Sequence, residues 1–238
     1  MAKFVDLHVA PRLDDDKECR RMAELLRIAG YSQVGLTIPS GLLRERIRLL
    51  KDIFHEIGID VALRIDLNSG SRMELLRLLR RFRSSYDIVA VRCANARVAT
   101  VACRDSRVDV VYFDPWNRNF RLNHALANLL RGALEFNLTS TLLKDHGEPV
   151  YSAFMKQSAI AKEHRIKVVL SSGSTTPEMV RSPSQITALA RTIGLSEQQS
   201  LAGVSQTPMS IIQRNAGRRS AGFIEEGVRV VMAKAGQR

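Results

Sequence analysis

The sequence predicts an α/β fold, a single TIM-like (β/α)8 barrel over residues 1–238, on three observations. Short runs rich in Val, Ile and Leu recur eight times, with amphipathic segments between them. The runs do not alternate strictly with polar residues, as expected for parallel strands covered by helices on one face and packed inside a barrel on the other. The chain also approaches the ~250 residues typical of such barrels. A doubly wound open sheet would usually carry a Gly-rich turn after its first strand, and here that turn reads HVAPRLDD.

In chain order, strands are expected at Phe4–Val9, Gln33–Ile38, Asp60–Leu67, Asp87–Arg92, Asp109–Phe113, Leu134–Leu138, Lys167–Leu170 and Leu201–Ser205. Helices are expected at Glu18–Gly30 and Leu42–Gly58, where Ala29-Gly30 and Ile57-Gly58 fit glycine C-caps. Ser71–Tyr86 and Tyr151–His164 are similarly amphipathic, and Ser182 is placed to cap a further helix. No Pro-, Gly- or Ser-rich linker divides the chain, so one domain is expected.

Composition narrows the function. With 45% hydrophobic residues the chain is too apolar for a disordered tail. No apolar run reaches the roughly 18 residues that span a bilayer. The segment MAKFVDLHVAPRLDDD is too acidic for a secretory signal. Cys19, Cys93 and Cys103 are odd in number and lack C-x-x-C spacing, which argues against a disulfide framework or a zinc site. A cytoplasmic protein with no membrane partner is expected. Lys+Arg 36 against Asp+Glu 24 gives a net charge of +12, and 28 of those 36 basic residues are arginine. Guanidinium binds phosphate as a planar fork, whereas lysine is a point charge. The excess therefore points to a polyanion such as RNA.

Catalytic groups of a barrel sit at the C-terminal strand ends. Strand one ends Asp6-Leu7-His8, which resembles the metal pair of barrel hydrolases. Of the five histidines, His55 and His164 fall late in expected helices, at the opposite end, and His8, His124 and His146 cannot complete a metal cage there. Asp66, Asp114 and Glu135 lie near strand ends, either as a Mg2+ site or as carboxylates paired to arginines. Gly-x-Ser-x-Gly is absent, and Cys93 and Cys103 have no evident histidine partner. Ser171, Ser172 and Gly173 after strand seven, with Ser205 after strand eight, are candidates for a phosphate-binding loop, or simply turn the chain.

The arginines cluster. Within Ser71–Ser84, Arg72, Arg77, Arg80, Arg81 and Arg83 meet one carboxylate, Glu74. Arg77, Arg80 and Arg81 fall opposite Leu75, Leu79 and Phe82 on the helical wheel, on an outer face. Arg92 and Arg97 flank the end of strand four, and Arg118 and Arg121 follow strand five, in stretches free of acids. Arg181 precedes an expected helix start, and Arg214 and Arg218 lie in a long acid-free stretch. Aromatics are scarce in these stretches, so phosphate contact rather than base stacking is expected.

Three blocks resemble a known family. The first is Val108-Asp109-Val110-Val111-Tyr112-Phe113-Asp114-Pro115, then Asn123-His124-Ala125-Leu126-Ala127 and Ala133-Leu134-Glu135-Phe136-Asn137-Leu138. The second is Lys167-Val168-Val169-Leu170-Ser171-Ser172-Gly173, Val180-Arg181-Ser182-Pro183 and Ile193-Gly194-Leu195, and the third is SQTPMSIIQRN from Ser205. In order and spacing these resemble the archaeal ribonuclease P protein component 3 family. The N-terminal third matches in pattern only, through Phe4–His8 and Gly35-Leu36.

The resemblance implies a TIM-barrel-like subunit of ribonuclease P, the endoribonuclease that removes the 5′ leader of precursor tRNA. It implies that the chain is not the nuclease. An RNA subunit carries the chemistry with Mg2+, the protein holds no cofactor, and it supports the catalytic domain of the RNA. The implied partners are RNase P RNA, RNase P protein component 2 and the other protein subunits, with precursor tRNA met indirectly. Asp6 and His8 then read as a remnant of a hydrolase-type barrel, with no metal ligand and no catalytic residue in the chain. Arg97, Arg118 and Arg181 sit inside or beside the family-like blocks. A metal-dependent phosphoesterase of the related barrel type is the competing expectation.

Overall fold

Seven parallel strands run in sequential order round the molecule, each followed by helical structure outside. The computed structural model describes residues 3–117, 120–139, 147–219, 223–225 and 228–229. The strands are β1 (Phe4–Val9), β2 (Tyr31–Thr37), β3 (Asp60–Leu67), β4 (Ile88–Arg92), β5 (Val110–Tyr112), β6 (Ala133–Asn137) and β7 (Val168–Ser171). Between them lie α1 (Asp16–Ala29), α2 (Arg44–Glu56), α3 (Arg72–Phe82), α4 (Ala96–Arg104), α5 (His124–Leu129) and α6 (Gly147–Glu163). After β7 come a 3-10 turn (Pro177–Met179), α7 (Pro183–Thr192), α8 (Glu197–Gly203) and α9 (Gln206–Arg218). Phe223–Glu225 and Val228–Arg229 pair as a short antiparallel ribbon, β8–β9. Among the described residues no helix is long and apolar enough to cross a membrane.

The caps follow the sequence. Asp15, Ser71, Asn95 and Asn123 accept the backbone N–H three residues on, and Gly30 ends α1 at φ +101°. Ser182 starts α7 with a reciprocal capping box to Gln185, as its expected role requires.

The barrel fold stands, but its expected eighth strand does not. Leu201–Ser205 lies in α8 and the turn after it, because Ser196 and Gln199 form a capping box that starts a helix there. The apolar run is buried as one helix face instead, with Gly203 packed so tightly that a Cβ would lie 2.8 Å from Leu170 Cγ. The seam between β1 and β7 is closed by other means. Val5 N–H donates to the Val204 carbonyl at 2.9 Å, and Ala10 N–H donates to the Ser174 carbonyl at 2.8 Å. Val9 and Ser174 add one parallel bridge.

Alternate residues of each strand point inward, and along them the chemistry changes. Low in the barrel Val5, Ala62, Ile88, Val110, Ala133 and Val169 form a small apolar core, closed from below by Ile211 of α9. One inward step higher, β3 carries Arg64, β4 Ala90, β5 Tyr112, β6 Glu135 and β7 Ser171, with Arg92 one step further up β4. The large core lies between strands and helices.

Candidate nucleic-acid interface

Arg64 fills the C-terminal mouth of the barrel. It is fully buried, and its Nη1 and Nη2 donate to the two Glu135 oxygens at 2.6 Å each. Its Nε donates to Asp66 Oδ1 at 2.6 Å, and Nη1 also reaches the Leu7 carbonyl at 2.9 Å. The Ser171 hydroxyl donates to Glu135 at 2.7 Å, while His8 lies 3.4 Å from Asp66 and 2.7 Å from Asn137 Oδ1. Burial pushes the Asp66 and Glu135 carboxyls up, but the Arg64 guanidinium outweighs it and holds both below their ordinary values. A carboxylate-bound cation would need these same oxygens. Of the two expectations for Asp66, Asp114 and Glu135, pairing to arginine is what the molecule adopts, Asp114 taking Arg92 at 2.6 Å.

Asp6 ties the seam. Its buried carboxyl accepts the backbone N–H of His8 at 3.1 Å and of Ser172 at 3.2 Å, joining β1 to the end of β7. Burial outweighs these hydrogen bonds and the nearby His8 and raises its pKa. The Ser171 hydroxyl and the Ser172 N–H are thus directed at Glu135 and Asp6. Ser205 does not join that turn. Without an eighth strand it sits at the start of α9, at the barrel's other end beside Val204, its hydroxyl bonded to the Leu201 carbonyl.

One set of exposed arginines gathers on the outside, over α3 and α4. A groove of about 670 Å³ between α3 and α4 is lined by Arg72, Leu76, Arg97, Thr100, Val101, Arg104 and Asp105. Leu76 also lines a second groove with Arg77 and Arg80, and Arg80 lines a third with Arg83, Arg107, Arg218 and Arg219. The shared residues make the three continuous. Arg77, Arg80 and Arg81 are exposed while Leu75, Leu79 and Phe82 are buried, as the helical wheel requires. Among the described residues Arg72, Arg77, Arg80, Arg97 and Arg104 make no ion pair.

α9 completes this surface because it is bolted under the barrel. Arg214 donates to Asp109 Oδ1 at 2.6 Å, Arg83 takes the other oxygen of this buried carboxylate, and Asn215 donates to the Asp87 carbonyl at 2.8 Å. Arg219 pairs with Asp87. Arg214 is therefore an anchor of α9, and Arg218 lines the groove with a bond to the Ser106 carbonyl at 3.3 Å.

The other arginines singled out in the sequence lie apart. Arg92 faces Asp114, which is absent from its own loop but brought in by the neighbouring strand. Arg121 is half-buried and donates to the Asn117 carbonyl at 3.4 Å. Arg181 donates to the Glu178 and Val180 carbonyls at 2.8 Å, finishing the 3-10 turn. Arg118 and His146 lie outside the described residues. Of the arginines singled out for phosphate, Arg97 and Arg218 lie on the continuous surface.

The family profile described as RNase P subunit p30 matches residues 3–220. The chain belongs to this family. Ribonuclease P protein component 3 of Methanosarcina acetivorans is 28% identical, over 96% of each chain. The component 3 protein of Methanothermobacter thermautotrophicus is also 28% identical, over 97% of this chain and 96% of its own. A chain in a cryo-EM structure of archaeal ribonuclease P with mature tRNA superposes with a TM-score of 0.82. That likeness, at 17% identity over 97% of this chain and 100% of the other, bears on the fold. As a member of the RNase P subunit p30 family, the chain is a protein subunit of ribonuclease P, the endoribonuclease of tRNA 5′-end processing.

Proposed function

We propose that this chain serves ribonuclease P as a non-catalytic, cytoplasmic subunit that binds and stabilises the catalytic domain of the enzyme's RNA. The observation that carries this reading is the continuous arginine surface of α3, α4 and α9, set against a barrel mouth whose carboxylates are taken by Arg64. Arg72, Arg77, Arg80, Arg97 and Arg104, which make no ion pair among the described residues, can fork onto phosphate oxygens and release condensed counterions. Neutralising phosphates there lets the RNA fold at lower Mg2+, with the catalytic Mg2+ held by the RNA and not by the protein. Protein component 2 is the protein partner in this reading, and precursor tRNA is met through the RNA.

Binding to RNase P RNA over a salt series tests it. Replacing Arg72, Arg77 and Arg80 together by alanine should weaken binding and lower the log–log salt slope by roughly 0.7–0.9 per lost phosphate contact. Unchanged affinity and slope would rule this surface out. The double variant Asp6→Asn with His8→Gln should keep reconstituted activity, with RNA and component 2, within a few-fold. Loss of a true general base or metal ligand would cost on the order of 10²–10⁴.

A further inference from the structure

We infer that His124, Glu163 and His164 form a site for one divalent transition-metal ion of the zinc type, on the outside of the barrel where α5 meets the end of α6. The three side chains bring one donor atom each to within 4.8 Å of one another. His124 Nδ1 lies 2.9 Å from His164 Nε2 and 3.6 Å from Glu163 Oε1. A tetrahedral ion with bonds of about 2.0–2.1 Å holds its ligand atoms about 3.3 Å apart. The two separations straddle that value, so small rotations of exposed His124 and Glu163 beside half-buried His164 seat an ion.

The backbone beneath is held on both sides. His124 opens α5 directly after Asn123, whose Oδ1 accepts the Leu126 N–H at 2.9 Å. Past Glu163 the chain keeps a helical bond from His164 N–H to the Ile160 carbonyl at 3.0 Å and turns through Arg165 at φ +53°. Ile166 N–H then closes on the Ala161 carbonyl at 2.8 Å.

A second observation concerns the tautomer. Asn128 stands one helical turn beyond His124 on α5, and its Oδ1 lies 2.9 Å from His164 Nδ1. Accepting a hydrogen bond from Nδ1–H, it leaves the His164 lone pair on Nε2, the atom aimed at His124. A ligating imidazole almost always has its other nitrogen bonded in this way. Without an ion, His124 donates into that lone pair. With one, both imidazoles turn lone pairs to the metal.

Two imidazoles and one carboxylate favour a borderline ion over Mg2+ or Ca2+, and a fourth position is left for water. The site lies away from the Arg64 network and contributes nothing to the mouth of the barrel. An ion here would staple six-residue α5 to the end of α6.

Calorimetric titration of the metal-free full-length chain with ZnCl2 tests the assignment, with MgCl2 as comparator. One Zn2+ per chain is expected. His124→Ala and His164→Ala should each abolish binding or weaken it at least 100-fold, and Asn128→Ala should weaken it about 10–100-fold. His55→Ala, whose ring lies 3.9 Å from Asp60 and outside the cluster, should bind as the wild type does. A far-ultraviolet circular dichroism spectrum identical to wild type shows that a variant is folded. No saturable Zn2+ binding, binding indifferent to both histidines, or preference for Mg2+ would each overturn the site.

Discussion

Arg64 and Arg77 carry the same guanidinium into opposite circumstances. Arg64 is enclosed at the mouth of the barrel, where four donor contacts reach Glu135, Asp66 and the Leu7 carbonyl. Arg77 stands exposed on α3 and makes no ion pair among the described residues. Arg64 is matched by its carboxylates, since a buried charge left without a partner would carry a desolvation cost of several kcal/mol. On the outer face water solvates the cations, so matching is unnecessary and the charge stays available for a ligand. A barrel customarily works at its mouth. Here Asp66, Glu135 and Asp114 at the mouth pair with arginine, and the arginines of α3 and α4 without an ion pair lie on the flank.

The comparison breaks most visibly if Arg64 loses its charge. Arg64→Met leaves Glu135 and Asp66 buried without a cation and should cost about 3–5 kcal/mol of stability in denaturant unfolding. The sign of the pH dependence should also reverse. In the wild type both carboxyls sit below their ordinary values of 3.8 and 4.5. Their contribution is therefore full above those values and is lost as pH falls through the lower folded ones. In Arg64→Met burial, opposed only by the weaker pull of His8 and Tyr112, raises them, so stability should rise as pH falls toward those ordinary values from above. A variant that keeps the wild-type slope would mean that Arg64 does not control these carboxyls.

Gly35→Ala probes the same network through the backbone. A Cβ there would lie 2.2 Å from the Leu7 carbonyl oxygen, the atom that accepts Arg64 Nη1. Strand β1 or β2 must shift, and a loss of about 1–3 kcal/mol is expected, read as a lower thermal midpoint with the RNA salt slope unchanged.

The smallest effect separates paired from unpaired arginine directly. Arg92 pairs with Asp114 at the rim, so Arg92→Ala should change stability by about 0–1 kcal/mol. It should also leave the RNA salt slope nearly intact. Arg77→Ala should lower that slope and leave the unfolding midpoint in place. Equal slopes for the two variants would erase the distinction between rim and flank.

Much of this was legible in the sequence. Strands β1 and β3 were readable to the residue, and β2 and β4–β7 to within two residues at either end, because apolar runs and caps are local signals. The arginine clusters were visible too, and α3's outer face followed from its period alone. Two things escaped. Leu201–Ser205 reads equally well as a buried strand or a buried helix face, and the Ser196–Gln199 box carried the deciding signal. Arg64 was passed over because a lone arginine in Asp60–Leu67 looks like an outward residue. Its inward parity with Ala62 and Asp66 was the available clue.

By itself, then, the sequence determined the local elements, the family and the sign and kind of the charge, since each rests on residue identity and short spacing. Tertiary structure alone decided which charges cancel. Arg64 meets Glu135 across the barrel, Asp114 reaches Arg92 from the next strand, and α9 crosses beneath to lay Arg218 beside Arg80. Those partners are remote in the chain, and whether a charge is neutralised depends on distances of a few ångströms that only the closed barrel sets.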